Sequence, residues 1–382
     1  MSTLNDAIAD APQTRVDETT GRTVRILRHE GKRLNCGYFR SHKWLHDGRV
    51  MLSMEKGAVA VDPATGETEQ LTNTAAMVDL HEATGKAVVW DGHGKPLRLA
   101  TLDELKDATK PNWPGNWVGS PVAFTCDGRY VILQRISEYL EKPIVPYGVN
   151  VEVLWNFFNR PRDGWLWAYD LVNLRTHDLV SLKAIAPIHP DASPTDPTLV
   201  KYSQDQFDGY TQRIWTVRID GSDPKPIRLQ QRGEVVTHEF WWPDGSLIGY
   251  KYQDRRKDDT VYQLPWCEYS PIATQFGLAD LDGKEVYLSD PINSYHSHIF
   301  VSKDSSMLCG EGTHDHSFLY AARFDRRKSK IDFQRQATIH TEYVALGGQS
   351  VNAGFSPDGR WLIYNDTIDG HMEACVVNVD LA

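Results

Sequence analysis

The chain has 382 residues, 41% of them hydrophobic and 24% charged, which is the composition of a globular protein with ample material for a core. Its formal net charge of −10 argues against nucleic acid as a partner, and no run approaches the roughly 20 apolar residues that span a bilayer. The five cysteines, Cys36, Cys126, Cys267, Cys309 and Cys375, are far apart and lack C-x-x-C spacing, so buried thiols are expected rather than a disulfide framework or a zinc site.

The opening MSTLNDAIADAPQTRVDETTG has no basic region followed by an apolar stretch, so a cytoplasmic protein is expected, with about residues 1–20 as a flexible segment. GRTVRILRHEG follows and is expected to supply the strand that closes a ring of repeats, because an unclosed ring leaves an exposed edge. The repeats come next, each read as a turn, an alternating strand, a gap and a second strand. HDGRVMLSMEKGAVAVDPATGETEQLT (46–72) is the cleanest copy. ATGKAVVWDGHGKPLRLATLDEL (83–105) is the second, and TLDELKD within it makes at most a turn or two of helix.

CDGRYVILQRI with GWLWAYDLVNLRTHDL (126–136 and 164–179) forms the third unit. It is interrupted by VNVEVLWNFFNR (149–160), the best helical candidate, which would cap one face. DPTLVKYSQ with RIWTVRIDGSDPKPIRL is the fourth; PDGSLIGYKYQ with FGLADLDGKEVYL, KDSSMLCGEGT with FLYAARFD, and PDGRWLIYND with EACVVNVDLA complete the series. Starts separated by roughly 40 to 60 residues are those of four-stranded blades. The expected fold is all-β, a single seven-bladed β-propeller over residues 1–382. The Asp-Gly pairs would supply the turns, and the alternation would set one side of each strand against the next blade.

Propellers bind and react where loops from several blades converge, so the site is sought in residues just before each turn. GEVVTHEFWWPDGS places His238 six residues before the Asp of its turn. From composition alone it reads as a partly buried structural histidine. Arg213, in QRIWTV, reads as readily as a structural residue, an inter-blade ion pair or a stem packed on Trp215, as it does a functional one. His296 and His298 form an H-x-H pair facing one side of a strand, whereas His314 and His316 in THDHS read as a solvated loop. Glu239 would point away from His238 on an extended strand. Trp113, Trp155, Trp241 and Trp242 suit either blade packing or sugar stacking; Trp242 and His296 are taken as substrate-binding candidates. The basic clusters at 255–257 and 326–328 read as solvated turns.

From about residue 20 to the C-terminus the chain resembles the oligogalacturonate lyase family of cytoplasmic seven-bladed propellers, which cleave short pectin-derived oligouronides by β-elimination. The resemblance is carried by LNCGYFRSHKWLHDGRVML, VEVLWNFFNRPRDGWLWAYDL, QRIWTVRIDGSD and above all T-H-E-F-W-x-P-D-G-S. It implies that His238 is the base and that Arg213 assists it. It also implies manganese or another divalent metal, with His298 at one ligand position and Gln349 and Asn352 in the last-blade cluster. That cluster departs from the family's glutamine followed by His-x-His, since the chain reads GGQSVNAGFSPDG. Metal binding is therefore expected to be weak or absent. β-Elimination needs a base for the proton α to the carboxylate and a donor for the developing enediolate, tasks that suit an imidazole and a guanidinium. The implied substrate is an oligosaccharide containing a uronic acid. The competing reading, motivated by the missing histidines, is a non-catalytic propeller that binds carbohydrate or protein; a serine-peptidase reading fails for want of a G-x-S-x-G elbow.

Overall fold

A computed structural model of the chain describes residues 13–36, 43–54, 57–72, 76–90, 97–101, 104, 120–137, 162–204, 211–254, 256, 273–292, 296–312, 317–340 and 351–381. The helical candidate at 149–160, His314, His316 and nearly all of TLDELKD lie outside them. The described residues form seven blades in chain order around a common axis. Blade 4, for example, runs Pro187–Ala192, Leu199–Gln204, Ile214–Arg218 and Lys225–Pro226, and blade 5 runs Glu234–Trp241, Leu247–Asp254, Gln275–Asp280 and Glu285–Leu288. Blade 6 follows the same antiparallel order from His296–Val301 outward. First strands of neighbouring blades touch one another, so these are the strands that line the axis.

The ring closes as expected: Thr23–Ile26 pairs with His371–Asn378 of blade 7, Val24 opposite Val377 and Ile26 opposite Cys375. The N-terminal segment is more ordered than expected. Gln13–Val16 adds a further strand outside Thr23–Ile26, and the Asp17 carboxylate accepts the Thr338 amide at 2.6 Å, fastening this segment to blade 6. Residues 13–20 therefore do not belong to a flexible tail.

The repeat phrase found in the sequence begins one strand late. The Asp-Gly turns at Asp47, Asp127, Asp244 and Asp358 each join the first strand of a blade to its second, so the axial strand precedes the turn. In these four turns the Asp side chain accepts the amide two residues on, at 2.9–3.1 Å, and the next residue is a glycine with φ between 66° and 87°. The second and third strands are also buried on both faces, not one: Ala58–Val61 and Leu247–Asp254 are buried throughout. A blade inside a propeller has a neighbour on each side, which removes the solvent face that alternation requires. Seven apolar clusters fill the seven interfaces, among them Leu199, Ile227, Trp241 and Tyr250 between blades 4 and 5, and Phe240, Trp242, Phe276 and Ile299 between blades 5 and 6. Cys36, Cys309 and Cys375 are buried in them, with thiol pKa values pushed up by burial, while Cys126 is only half-buried. No helix among the described residues is long and apolar enough to cross a membrane.

Blade 6 departs from these four turns. Its turn reads Asp304-Ser305, and Ser305 adopts φ 63° where those four have glycine. A side chain in this left-handed region is strained, so Ser305→Gly is expected to stabilise the protein by about 0.5–1 kcal/mol and to raise the midpoint of urea unfolding without altering the slope.

Candidate functional site

The axial strands are interrupted where the candidate residues sit. In blade 5, Thr237 pairs with Lys251 and Phe240 with Gly249, so His238 and Glu239 together oppose Tyr250. In blade 4, His189 and Pro190 oppose Tyr202 in the same manner, and in blade 6, Ser297 and His298 oppose Glu311. Each is a β-bulge, a device that re-aims side chains which strict alternation would send elsewhere. Pro190 suits such a position because the opened ladder does not call on its missing amide hydrogen. His189 (φ 50°), His238 (φ 54°) and Asn352 (φ 53°) all adopt left-handed backbone. Counting back from the turns gives one register: His238, His298 and Asn352 each precede the turn's Asp by six residues, and His189 stands four before Ser193 as His298 does before Ser302. Blades 4 to 7 thus present His189, His238, His298 and Asn352 at equivalent points.

Contacts join these points across the blades. The His238 and His298 rings lie 4.3 Å apart, centroid to centroid, tilted by 42°. His298 Nδ1 bonds the Glu311 carboxylate, whose other oxygen accepts the Ala353 amide at 3.2 Å, next to Asn352. In the neutral ring this fixes Nδ1 as the protonated nitrogen and Nε2 as the lone-pair atom. On the other side, Glu239 is buried and takes the Arg213 Nε–H at 2.9 Å on one oxygen and the Ser203 hydroxyl on the other. Burial would raise the Glu239 pKa, but Arg213, Lys201, His189 and the Ser203 bond together hold it well below the usual carboxylate range. Lys201, fully buried, directs Nζ towards the His189 carbonyl at 3.5 Å.

The structure therefore brings together His238, Arg213, His298 and Asn352. Trp242 is corrected: it is buried between blades 5 and 6, with Phe324 at 5.5 Å and Phe276 at 6.4 Å, so it is a core residue and not a sugar platform. His296 pairs through its backbone with Gly312; its side chain and Gln349 lie outside the described residues. Sequence reasoning missed Glu239, Lys201, His189 and Glu311. The repeat register could have revealed His189, because it stands where His238 stands one blade on. A cavity of about 110 Å³ beside His189 is lined also by Lys43 and Gln134, and a larger one of about 350 Å³, lined by Trp44, Trp241, Pro243 and Phe355, opens at the turn end of the axis.

Two of these residues have features of metal ligands. The Asn352 Oδ1 is buried and has no hydrogen-bond partner among the described residues, and His298 has the carboxylate behind it that metal-bound histidines usually have. Both suit a divalent cation. No group of three or more His, Cys, Asp or Glu that could hold a metal ion occurs among the described residues.

Fold and site together define a seven-bladed propeller with an imidazole-lined axis and a carboxylate-anchored arginine beside it. No protein-family model matches the chain. Among curated proteins it is similar to the oligogalacturonide lyase of Pectobacterium atrosepticum, 24% identical over 201 residues, and to the oligogalacturonate lyase of Dickeya dadantii, 23% identical over 201 residues. Each match covers 48% of this chain and 47% of the relative, so the chain spans about half the length of the curated relatives it matches. Two solved structures share the fold at 19% identity. An oligogalacturonate lyase in complex with manganese has a TM-score of 0.73, covering 97% of this chain and 96% of the other. The oligogalacturonate lyase of Vibrio parahaemolyticus has a TM-score of 0.74, covering 96% of each. In sequence and in fold the chain resembles the oligogalacturonate lyases.

Glu311 is the acceptor for groups in two blades. Glu311→Ala removes the partner of both the His298 ring and the Ala353 amide, and is expected to cost about 2–6 kcal/mol at 1–3 kcal/mol per buried group left unsatisfied. Urea unfolding reads this directly, and a loss below about 0.5 kcal/mol would show that water takes the carboxylate's place.

Proposed function

We propose that the chain is a lyase that cleaves short uronic-acid-containing oligosaccharides by β-elimination, with His238 as the base and Arg213 as the partner of the reacting carboxylate. The observation that supports this most is the linkage of the two through adjacent residues: Glu239, which follows His238, bonds Arg213. An imidazole with an ordinary pKa near 6.5 is largely neutral at neutral pH and can accept the proton α to the carboxylate. As that proton moves to the ring, its bonding pair forms the new carbon–carbon double bond, and the bond to the leaving sugar's oxygen breaks with its pair staying on that oxygen, which takes up a proton from solvent. Charge builds on the carboxylate, and a guanidinium that meets it with charge-assisted bonds lowers the barrier. The lack of a disulfide among the described cysteines suits a reducing, cytoplasmic setting.

A divalent cation fits beside this pair, with His298 and Asn352 as the residues that would hold it, and would supply further positive charge to the carboxylate. One imidazole and one neutral amide oxygen are a weak donor set, so we assign the main share of carboxylate stabilisation to Arg213.

His238→Ala is expected to lower turnover of oligogalacturonides by ~10²–10⁴-fold while the unfolding transition stays in place, measured through the ultraviolet absorbance of the unsaturated product. A folded, fully active variant would sink the assignment, and a wild-type protein that binds uronides without forming that product would identify a binding propeller instead. Dialysis against a chelator is expected to leave most of the activity and little bound metal. Stoichiometric metal with chelator-sensitive turnover would overturn the weak-site reading and point to His296 as the next ligand to test.

A further inference from the structure

Arg213 and Glu239 are both buried, and nothing in the elimination chemistry as such requires a carboxylate beside the arginine that meets the substrate. An uncompensated anion there would compete with the uronate for the guanidinium. The geometry indicates what it does instead. Glu239 uses one oxygen for Arg213, and it meets Nε, the donor at the root of the guanidinium, at 2.9 Å. The other oxygen takes the Ser203 hydroxyl from the second strand of blade 4. A carboxylate held at both oxygens cannot rotate, so the arginine's root is held with it. Lys201 and His189 stand close enough to lower the Glu239 pKa together with Arg213, so the anion is surrounded by more positive than negative charge.

The bulge adds a second constraint. On a regular strand Glu239 and His238 would face opposite sides, but here both fall in the two-against-one step opposite Tyr250. The base and the anchor of the arginine are thus neighbours along the chain, and their spacing is set by a single peptide unit.

We propose that Glu239 is the positioning residue of the site: clamped by Ser203, it holds the Arg213 guanidinium at a fixed separation from His238, so that a uronate carboxylate meets the arginine while its α-hydrogen faces the base. This rests on the reading of Arg213 as the carboxylate's partner. Glu239 acts through Arg213 and does not touch the substrate. The effect is therefore specific to a substrate whose reacting carboxylate is ionised.

The test compares oligogalacturonides with free carboxylates and the same oligomers as methyl esters, using the full chain. Wild type is expected to favour the free acid. Glu239→Gln keeps the side chain's shape but loses its charge, and is expected to lower kcat/KM on the free acid by roughly 10- to 100-fold, the scale of a small displacement of a catalytic group, with a smaller loss on the ester. The acid-to-ester ratio then collapses, as it does in Arg213→Lys. Equal losses on both substrates would mark Glu239 as a structural ion-pair partner only and overturn the proposal. If Glu239→Gln shows no cooperative unfolding transition, Ser203→Ala, which leaves the ion pair in place, carries the same ratio test with a shift in the same direction. A wild-type protein that eliminates from neither substrate refutes the proposed function instead. In that event the acid-to-ester ratio of equilibrium binding constants, wild type against Ser203→Ala, decides the anchoring role by itself: a lowered ratio supports it and an unchanged ratio overturns it.

Discussion

A strand of strict alternation can offer the axis only every second side chain, and the site depends on escaping that rule. The escape is one extra residue in the axial strands of blades 4, 5 and 6, which lets His189, His238 and His298 depart from the alternation of their strands. The left-handed backbone at His189 and His238 costs of order 1–3 kcal/mol each and persists only where the surroundings over-determine it. In blade 5 the surroundings are visible. Phe240, the residue that resumes the ladder, is fully buried between blades, and its ring fills the space over Gly249, where a Cβ would lie 2.6 Å away. The apolar core next to the bulge sustains the strain that aims the imidazole, so packing and chemistry are bound together at this point.

The same strands carry a second kind of order. A polar side chain on the second or first strand of one blade reaches the axial strand of the next: Asp79 accepts the Phe124 amide at 2.8 Å, Ser203 reaches Glu239, Glu311 accepts the Ala353 amide, and Asn365 accepts the Cys36 amide at 2.8 Å. These bonds satisfy groups on the inner edge strands, which have no ladder partner on their axial side. Buried ion pairs are poor evidence of stability in themselves, because desolvation offsets most of their attraction. Arg28 with Glu373, bonded at 2.7 and 2.8 Å, fastens the closing strand region to blade 7 and has a plain structural use. Arg213 with Glu239 joins blades 4 and 5, which the Ser203 bond and the apolar cluster also join. That overlap is why a chemical use is proposed for the pair.

Legibility in the sequence followed periodicity. The seven units, the closing strand and the Asp-Gly turns could be read because turn chemistry and strand spacing recur along the chain, and recurrence survives the loss of any single signal. The axial strands were the part missed. They are short and bulged, so period-2 reasoning has nothing to count, and the units were read as starting at the turn that follows them. Trp242 misled for a related reason: an aromatic beside a turn suits both a sugar and a blade interface, and only the ring contacts with Phe276 and Phe324 decide between them. Glu239 was read only as pointing away from His238, and its bond to Arg213 joins residues 26 apart on different blades, a distance no local pattern reports.

The bulge also explains how this site could lose an imidazole without losing its frame. The resemblance to the lyases leads one to expect histidine in the last-blade cluster, and at 352 the chain has asparagine. Any residue there must accept φ near 53°, which most side chains resist and asparagine tolerates better than nearly all others except glycine. The backbone is therefore kept while the donor changes from a basic nitrogen to a neutral amide oxygen, and that oxygen is left buried without a hydrogen-bond partner among the described residues. A buried acceptor in that state carries a desolvation cost of about 1–3 kcal/mol until something meets it. The blade 7 position thus retains a geometric demand for a donor or a cation, although a neutral amide oxygen is a weaker ligand than an imidazole. In the function proposed above, the carboxylate-binding load falls instead on Arg213, held between blades 4 and 5.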